Sequence, residues 1–197
     1  MAKLLETWRS AFLDQIQQTW MAEDLKRAAL AEDLTSWTTY LTTAVVKSCE
    51  PLGWDAAAKW NPSKRLPQPG KEYLSIDVTA FPPPRAGQAV PWPLPIAVFE
   101  LENHRRDQRV AYSLWKVLCV RAALRVVIAY RPDWEQTRCL VAALGRDVIG
   151  SMNTEQRAGL DGEVVIIVGN RGDGETFPWG YFKFWLLDNN LGRFDKV

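Results

Sequence analysis

Two glutamates, Glu100 and Glu102, end an apolar run of strand character that begins at Pro95. Side chains alternate between the two faces of a β-strand, so these two carboxylates emerge on the same face. Paired like charges raise the free energy unless water, a proton or a cation compensates them. A second strand-like run, 73–81, carries a lone acid, Asp77, in similarly apolar surroundings. If the two strands are neighbours, the three carboxylates form a cluster suited to a hard divalent cation.

A segment with helical spacing, 104–121, follows the glutamates directly. Its polar face carries four cations, which are Arg105, Arg106, Arg109 and Lys116. Because a helix N-terminus also favours anions, the arginines near the start of this segment are candidates for contacts with phosphate oxygens, and Lys116 further along the segment is a fourth candidate. His104 is the only histidine, and without a second one it is interpreted as a capping or surface residue.

The N-terminal part of the chain is predicted to be helical. Residues 3–31 show one apolar stripe at helical spacing, which predicts a single long helix. A second helix is predicted to begin at 33–36, capped by Asp33 or Thr35, and to end where Pro51 interrupts it. These helices pack against a sheet or, alternatively, form a partner or dimer surface. A short strand is predicted over 54–60.

The C-terminal part alternates strands and helices. Strand, helix and strand over 95–130 predict a right-handed crossover and a parallel pair. A further helix is predicted over 134–144, closed by Gly145, followed by strands at 163–169 and 179–187 and a tail. The expected fold class is therefore α/β, a mixed β-sheet flanked by helices. The proline-rich stretch 82–95 either gates a site or caps the sheet, and the sequence leaves both open.

Composition narrows the classes of function. The chain has 197 residues, 47% hydrophobic and 24% charged, which suits one globular domain. The formal net charge of +1 gives no bulk attraction to nucleic acid, so any such contact needs local patches. Three cysteines without metal-ligand spacing, and ten tryptophans, are expected to be buried, with the thiols reduced in a cytoplasmic protein. No signal peptide and no membrane-spanning run is expected. The sequence also lacks a Gly-rich phosphate loop, a Gly-x-Ser-x-Gly motif and a Cys/His cluster.

The order of elements, with Ile76-Asp77 on one strand and Glu100-Leu101-Glu102 on the next, resembles the PD-(D/E)XK nuclease superfamily. The resemblance covers roughly residues 40–130 and implies a restriction-endonuclease-like core. In one domain over 1–197, N-terminal helices would then occupy 1–50, the nuclease-like core 51–130, and a C-terminal α/β extension of the sheet 131–197.

The resemblance also implies roles for individual residues. Asp77 and Glu100 would hold Mg²⁺ or Mn²⁺, and Glu102 would act as general base or third ligand. Glu102 stands at the position where the family commonly has Lys, although some restriction enzymes of the superfamily carry Glu there. Lys116 is a candidate for the replacement cation.

Two further candidates come from the same resemblance. Gln108 and Tyr112 are similar to the Gln-x-x-x-Tyr motif of RecB-type members, in which the Gln faces the metal site. Glu50 stands near the end of the helix that precedes the core, where many relatives place an outer metal ligand.

Three functional hypotheses follow. The first is a Mg²⁺-dependent nuclease that hydrolyses DNA phosphodiester bonds. The second is a catalytically inactive relative that binds nucleic acid or a protein partner through the same fold. The third is a structural subunit that assembles through its tryptophan-rich helices, for example as a homodimer. A membrane partner is not expected.

Overall fold

The computed structural model of the protein describes residues 4–63, 65–66, 72–84 and 92–197. Residues 85–91, half of the proline-rich stretch 82–95, lie outside the described residues. The strands are β1 Asp55–Ala58, β2 Val78–Phe81, β3 Ala97–Leu101, β4 Leu124–Arg131, β5 Glu163–Asn170, β6 Phe182–Asp188 and β7 Arg193–Lys196. The α-helices are α1 Leu4–Ile16, α2 Thr19–Leu30, α3 Leu34–Cys49, α4 Asp107–Leu118, α5 Trp134–Leu144 and α6 Thr154–Ala158.

The strands β1 to β7 join one mixed sheet in chain order. The pairs β1–β2 and β2–β3 are antiparallel, β3–β4 and β4–β5 are parallel, and β5–β6 and β6–β7 are antiparallel. The predicted parallel pair is confirmed, because α4 returns the chain so that Phe99 of β3 pairs with Val126 of β4. The predicted α/β class, with a mixed sheet between helices, is confirmed as well.

Helices cover both faces of the sheet. On one face α1, α2 and α3 enclose a core that includes Trp8, Leu41 and Phe99. On the other face α4 and α5 enclose a core that includes Val98 and Leu114. Val98 of β3 faces α4. Because side chains alternate along a strand, Glu100, two residues later, points to the same face. This alternation decides which helix can reach Glu100.

The N-terminal helix is broken, contrary to the prediction of one helix over 3–31. Residues 17–18 separate α1 from α2, and Gln18 has an extended backbone. The buried residues of α1 end at Ile16, and continuation of their spacing would bring Trp20, then Glu23 and Arg27 inward. The break shifts the stripe so that Met21 and Leu25 are buried instead, and Trp20 is left 49% exposed. The prediction that Asp33 caps α3 is confirmed by its bonds to the Thr35 and Ser36 N–H groups.

Three other local predictions were wrong. The strand predicted over 73–81 is only β2, because Tyr73–Ser75 form a 3₁₀ turn with Leu74 at φ 57°. Gly145 does not close α5, since a π-helical turn, Gly145–Ile149, continues the helix and buries Val148 and Ile149. The predicted tail forms β7, which pairs with β6.

The expected burial of the sulfur and aromatic side chains holds only in part. Cys49 is buried, whereas Cys119 and Cys139 are exposed. Five tryptophans have exposed fractions from 49% to 73%: Trp20, Trp60, Trp92, Trp115 and Trp179. Among the helices that the structure describes, none has both the length and the apolar character needed to cross a bilayer.

Candidate functional site

Asp77 and Glu100 are direct neighbours across β2 and β3. Val78 pairs with Phe99 in antiparallel register, so Asp77, the residue before β2, stands opposite Glu100. The Asp77 N–H donates to Oε1 of Glu100 at 3.3 Å, and the Leu101 N–H donates to Oδ2 of Asp77 at 2.8 Å. The Asp77 carboxylate thus takes the place of the strand residue that would otherwise pair with Leu101. Both acids are fixed where the β2–β3 pair ends.

Lys116 reaches this pair of acids from α4. Its ammonium lies 2.7 Å from Oε2 of Glu100 and donates to the carbonyl of Ser75 at 2.7 Å. The contact forms because Glu100 points toward the face that α4 covers, and because long helical side chains lean toward the N-terminus of their helix. The Glu100 residue is only 4% exposed. Lys116, the candidate for the replacement cation, is therefore in direct contact with the predicted metal ligand Glu100.

The two carboxyl groups have raised pKa values. Burial raises the pKa of Glu100 to about 7, the negative charge of Asp77 adds to the rise, and Lys116 opposes it. Burial also raises the pKa of Asp77, while the Leu101 N–H and then Lys116 lower it. Near neutral pH such a pair gains stability from either a proton or a cation.

Glu102 stands beside the pair rather than in it. Its N–H donates to the Ile128 carbonyl at 2.8 Å, so the ladder with β4 continues one residue beyond β3. Its carboxylate accepts the His104 N–H at 2.8 Å, and its charge contributes to the raised pKa of Asp77. Among the residues described by the structure, no three His, Cys, Asp or Glu side chains are placed to hold one metal ion. The predicted three-carboxylate cluster is thus present as a close pair with Glu102 nearby.

The predicted phosphate contacts lie around the start of α4. Arg105, Arg106 and Arg109 are all exposed there, and Arg105 pairs with Glu32 at 3.5 Å. His104 is exposed, which agrees with the predicted surface residue, and its Nδ1 accepts the Arg106 N–H at 3.0 Å without capping α4.

Two predicted residues are not brought to the pair. Gln108 is exposed in the first turn of α4, and no hydrogen bond described by the structure links it to Asp77 or Glu100. Glu50 lies at the opposite end of α3 from Thr38, whose hydroxyl accepts a bond from Asn103 just after β3. At about 1.5 Å per residue, those twelve positions of helix place Glu50 far from the site. Glu50 pairs instead with Lys47 at 2.9 Å.

An open cleft of about 440 Å³ lies beside Asp77. Its walls are Lys59 and Trp60 after β1, Glu72, and the N-terminal half of α3, which contributes Leu34, Thr35, Thr38, Thr39 and Thr42. This threonine wall was not predicted from the sequence. Its signal was the recurrence of Thr35, Thr38 and Thr42 at helical spacing.

Comparison with known proteins identifies no relative, because no protein-family model, curated protein or solved structure matches the chain. The geometry of Asp77, Glu100 and Lys116 is therefore the basis for assigning a function.

Proposed function

We propose that the protein is a metal-dependent nuclease that hydrolyses DNA phosphodiester bonds, as its resemblance to the PD-(D/E)XK superfamily implies. The observation that carries the proposal is the Asp77–Glu100 pair on adjoining strands, with the Lys116 ammonium on Glu100. The order of elements supports it too, since α3, β1, β2, β3, α4 and β4 follow one another as the resemblance requires.

The donor set of the pair fits Mg²⁺ or Mn²⁺. Both ions prefer oxygen ligands, and Mg²⁺ commonly takes only one or two protein carboxylates while water and substrate phosphates complete its coordination. The raised pKa values of Asp77 and Glu100 support this assignment, because a divalent cation would compensate the charge that burial disfavours. When bound, such an ion polarises the phosphate and lowers the pKa of a water molecule.

The side chains around the pair take complementary roles. Asp77 and Glu100 hold the cation, and their bonds to the backbone of the opposite strand orient them. Lys116 is a positioning residue, since its charge lowers the pKa of Glu100 and favours the ionised carboxylate.

Glu102 is the candidate general base. It is half-buried, and only one of its carboxylate oxygens accepts the His104 N–H. The second oxygen is able to take the proton of an attacking water. Arg105 and Arg106, exposed beyond the end of β3, are placed to contact the phosphates of a bound strand.

Plasmid nicking tests the proposal. Purified protein is incubated with supercoiled DNA and Mg²⁺ or Mn²⁺, beside the variant Asp77→Asn. The amide oxygen of asparagine still accepts the Leu101 N–H, so the variant is expected to keep its fold while losing a ligand charge. We expect nicking that a chelator stops, a loss of at least about a hundredfold in D77N, and no loss in the control Asp147→Asn, whose side chain pairs with Arg146 on the surface.

Calorimetric titration with Mn²⁺ provides a readout that does not depend on activity. Wild-type protein is expected to bind the ion and D77N is expected to bind it much more weakly. Absence of nicking, together with identical Mn²⁺ titrations of the two proteins, would overturn the proposal. DNA binding without nicking would favour the catalytically inactive relative instead.

A further inference from the structure

A second cavity, of about 580 Å³, lies at the carboxyl ends of β4 and β5. Arg105, Arg131 and Arg171 line it, together with Glu32 and Gln136 among others. We call it the arginine cavity. Its volume falls within the usual range for small-molecule sites, and open α/β sheets bind ligands in this position, outside the carboxyl ends of their strands.

The charges that face the arginine cavity do not cancel. Three guanidinium groups face one carboxylate, Glu32, which lies 3.5 Å from Arg105. Asp107 pairs with Arg131 from the first turn of α4, outside the lining. Arg171 forms no ion pair with any carboxylate in the part of the chain that the structure describes. An anionic ligand would relieve this excess of positive charge.

One guanidinium, that of Arg131, is held in place before any ligand arrives, and the backbone at Arg171 is anchored. Arg131 is 5% exposed, and its guanidinium donates to the Tyr130 carbonyl at 2.6 Å and to Asp107. A guanidinium has five N–H donors, so others remain for a ligand. Arg171 begins a 3₁₀ turn that is tied to the end of β4, because the Gly172 N–H donates to the Pro132 carbonyl at 2.9 Å.

We propose that the arginine cavity binds a phosphate monoester, carried either by a nucleoside monophosphate or by the phosphorylated end of a DNA strand. Such a group has a charge of about −1.5 to −2 at pH 7, and guanidinium forks bind its oxygens in pairs. A phosphodiester has a smaller charge and fewer free oxygens, so it matches three arginines less well.

The arginine cavity also opens toward the proposed catalytic site. It shares Glu32, Asn103, Arg105 and Arg171 with an adjoining groove that Glu102 and His104 line. A strand whose terminal phosphate occupies the cavity would run along this groove toward Glu102. This last step rests on the proposed nuclease function, whereas binding of the phosphate monoester does not.

Calorimetric titration tests the inference. The probes are inorganic phosphate, adenosine monophosphate, and one oligonucleotide carrying a 5′-phosphate, a 3′-phosphate or neither. The test variant is Arg171→Gln. The matched control is Arg146→Gln, because Arg146 is exposed, pairs with its neighbour Asp147 and does not line the arginine cavity. We expect wild-type protein to bind a phosphate monoester, R171Q to bind it at least about tenfold more weakly, and R146Q to be unchanged. Arg105→Gln serves as a second test variant and is expected to weaken binding as well.

The outcomes separate the two proposals. Preference for a phosphorylated over an unphosphorylated oligonucleotide assigns a strand end, and binding of adenosine monophosphate without that preference assigns a free nucleotide. Equal affinities of wild-type protein and R171Q for every probe would overturn the inference. D77N is expected to keep its affinity for the monophosphate. Monophosphate binding by a wild-type protein that nicks no DNA, and whose Mn²⁺ titration is identical to that of D77N, would refute the nuclease and leave the arginine cavity standing.

Discussion

The Lys116 ammonium contacts Oε2 of Glu100 and the carbonyl of Ser75, each at 2.7 Å. One side chain of α4 therefore ties together β3 and the turn that precedes β2. The same turn leads into Asp77, so the lysine also supports the position of the second acid. Its charge opposes the burial that raises the pKa of Glu100. The protonation of the acid pair consequently depends on a residue from a different element of the fold.

Removal of the lysine charge should shift the pH dependence of the site. Lys116→Met keeps much of the apolar stem and loses the ammonium. Because that charge lowers the pKa of Glu100, the variant should have a pKa above the value of about 7 in the wild-type protein. We expect the pH profiles of Mn²⁺ binding and nicking to move to higher pH, with a loss of about tenfold at pH 7. The control is Lys47→Met, which removes a lysine from an exposed ion pair. Superimposable pH profiles of K116M and wild-type protein would show that Lys116 does not lower the pKa of Glu100.

Stability should also depend on pH through Glu100. Its ordinary pKa is 4.5, whereas the pKa in the folded protein is about 7. Between these values the folded protein retains a proton that the unfolded chain releases. The contribution of protonated Glu100 to the free energy of unfolding is therefore full below pH 4.5 and is lost as the pH rises through about 7. In urea unfolding with a chelator present, we expect the difference in free energy of unfolding between wild-type protein and Glu100→Gln to change by about 1–3 kcal/mol from pH 5 to pH 8.

The surface variant Glu175→Gln provides the comparison for this experiment, because that side chain is 79% exposed. Its difference from wild-type protein should be nearly constant over the same pH range. A difference for E100Q that is equally constant would show that Glu100 has no raised pKa.

Glycine-to-alanine variants should separate a crowded position from an open one. A Cβ at Gly169 would lie 2.5 Å from a ring carbon of Tyr181 and 2.7 Å from one of Tyr130, so we expect G169A to lose about 1–3 kcal/mol of stability. At Gly145 the nearest atom is a ring carbon of Phe194 at 4.0 Å, and alanine also favours helix. G145A should be neutral or stabilising in the same urea titration. Equal losses would contradict the packing around β5.

The cap of α3 should distinguish asparagine from alanine. Asp33 accepts the Ser36 hydroxyl at 2.6 Å and the N–H groups of Ser36 and Thr35 at 3.1 and 3.2 Å. These bonds, that of the Ser36 hydroxyl first, lower the pKa of Asp33, so its contribution is present at neutral pH and lost as the pH falls through that pKa. Thermal unfolding at pH 7 should show a clear loss for Asp33→Ala and a smaller one for Asp33→Asn. An equal effect of both substitutions would show that the side-chain oxygen is unimportant.

The sequence predicted the α/β class and the parallel β3–β4 pair, because strand alternation and the crossover rule act through local pattern. The adjacency of the two acid-bearing segments was a condition of the metal-site hypothesis, and it came from the family resemblance. The sequence could not place Asp77 just before β2, since nothing in 73–77 signals the positive φ of Leu74. Nor could spacing alone show that Lys116 reaches Glu100, because that contact depends on how α4 lies across the sheet. β7 was missed for a different reason, as its four residues contain only one apolar side chain, Phe194.

The outermost strands have a consequence for self-association. β1 and β7 contain four residues each, and β7 presents the exposed charges of Arg193 and Lys196 to the solvent. Short edge strands, and in β7 the charges as well, resist the addition of a strand from another molecule. Two copies of this protein would therefore meet through helices or connecting segments, and continuous intermolecular β-pairing is disfavoured from either side.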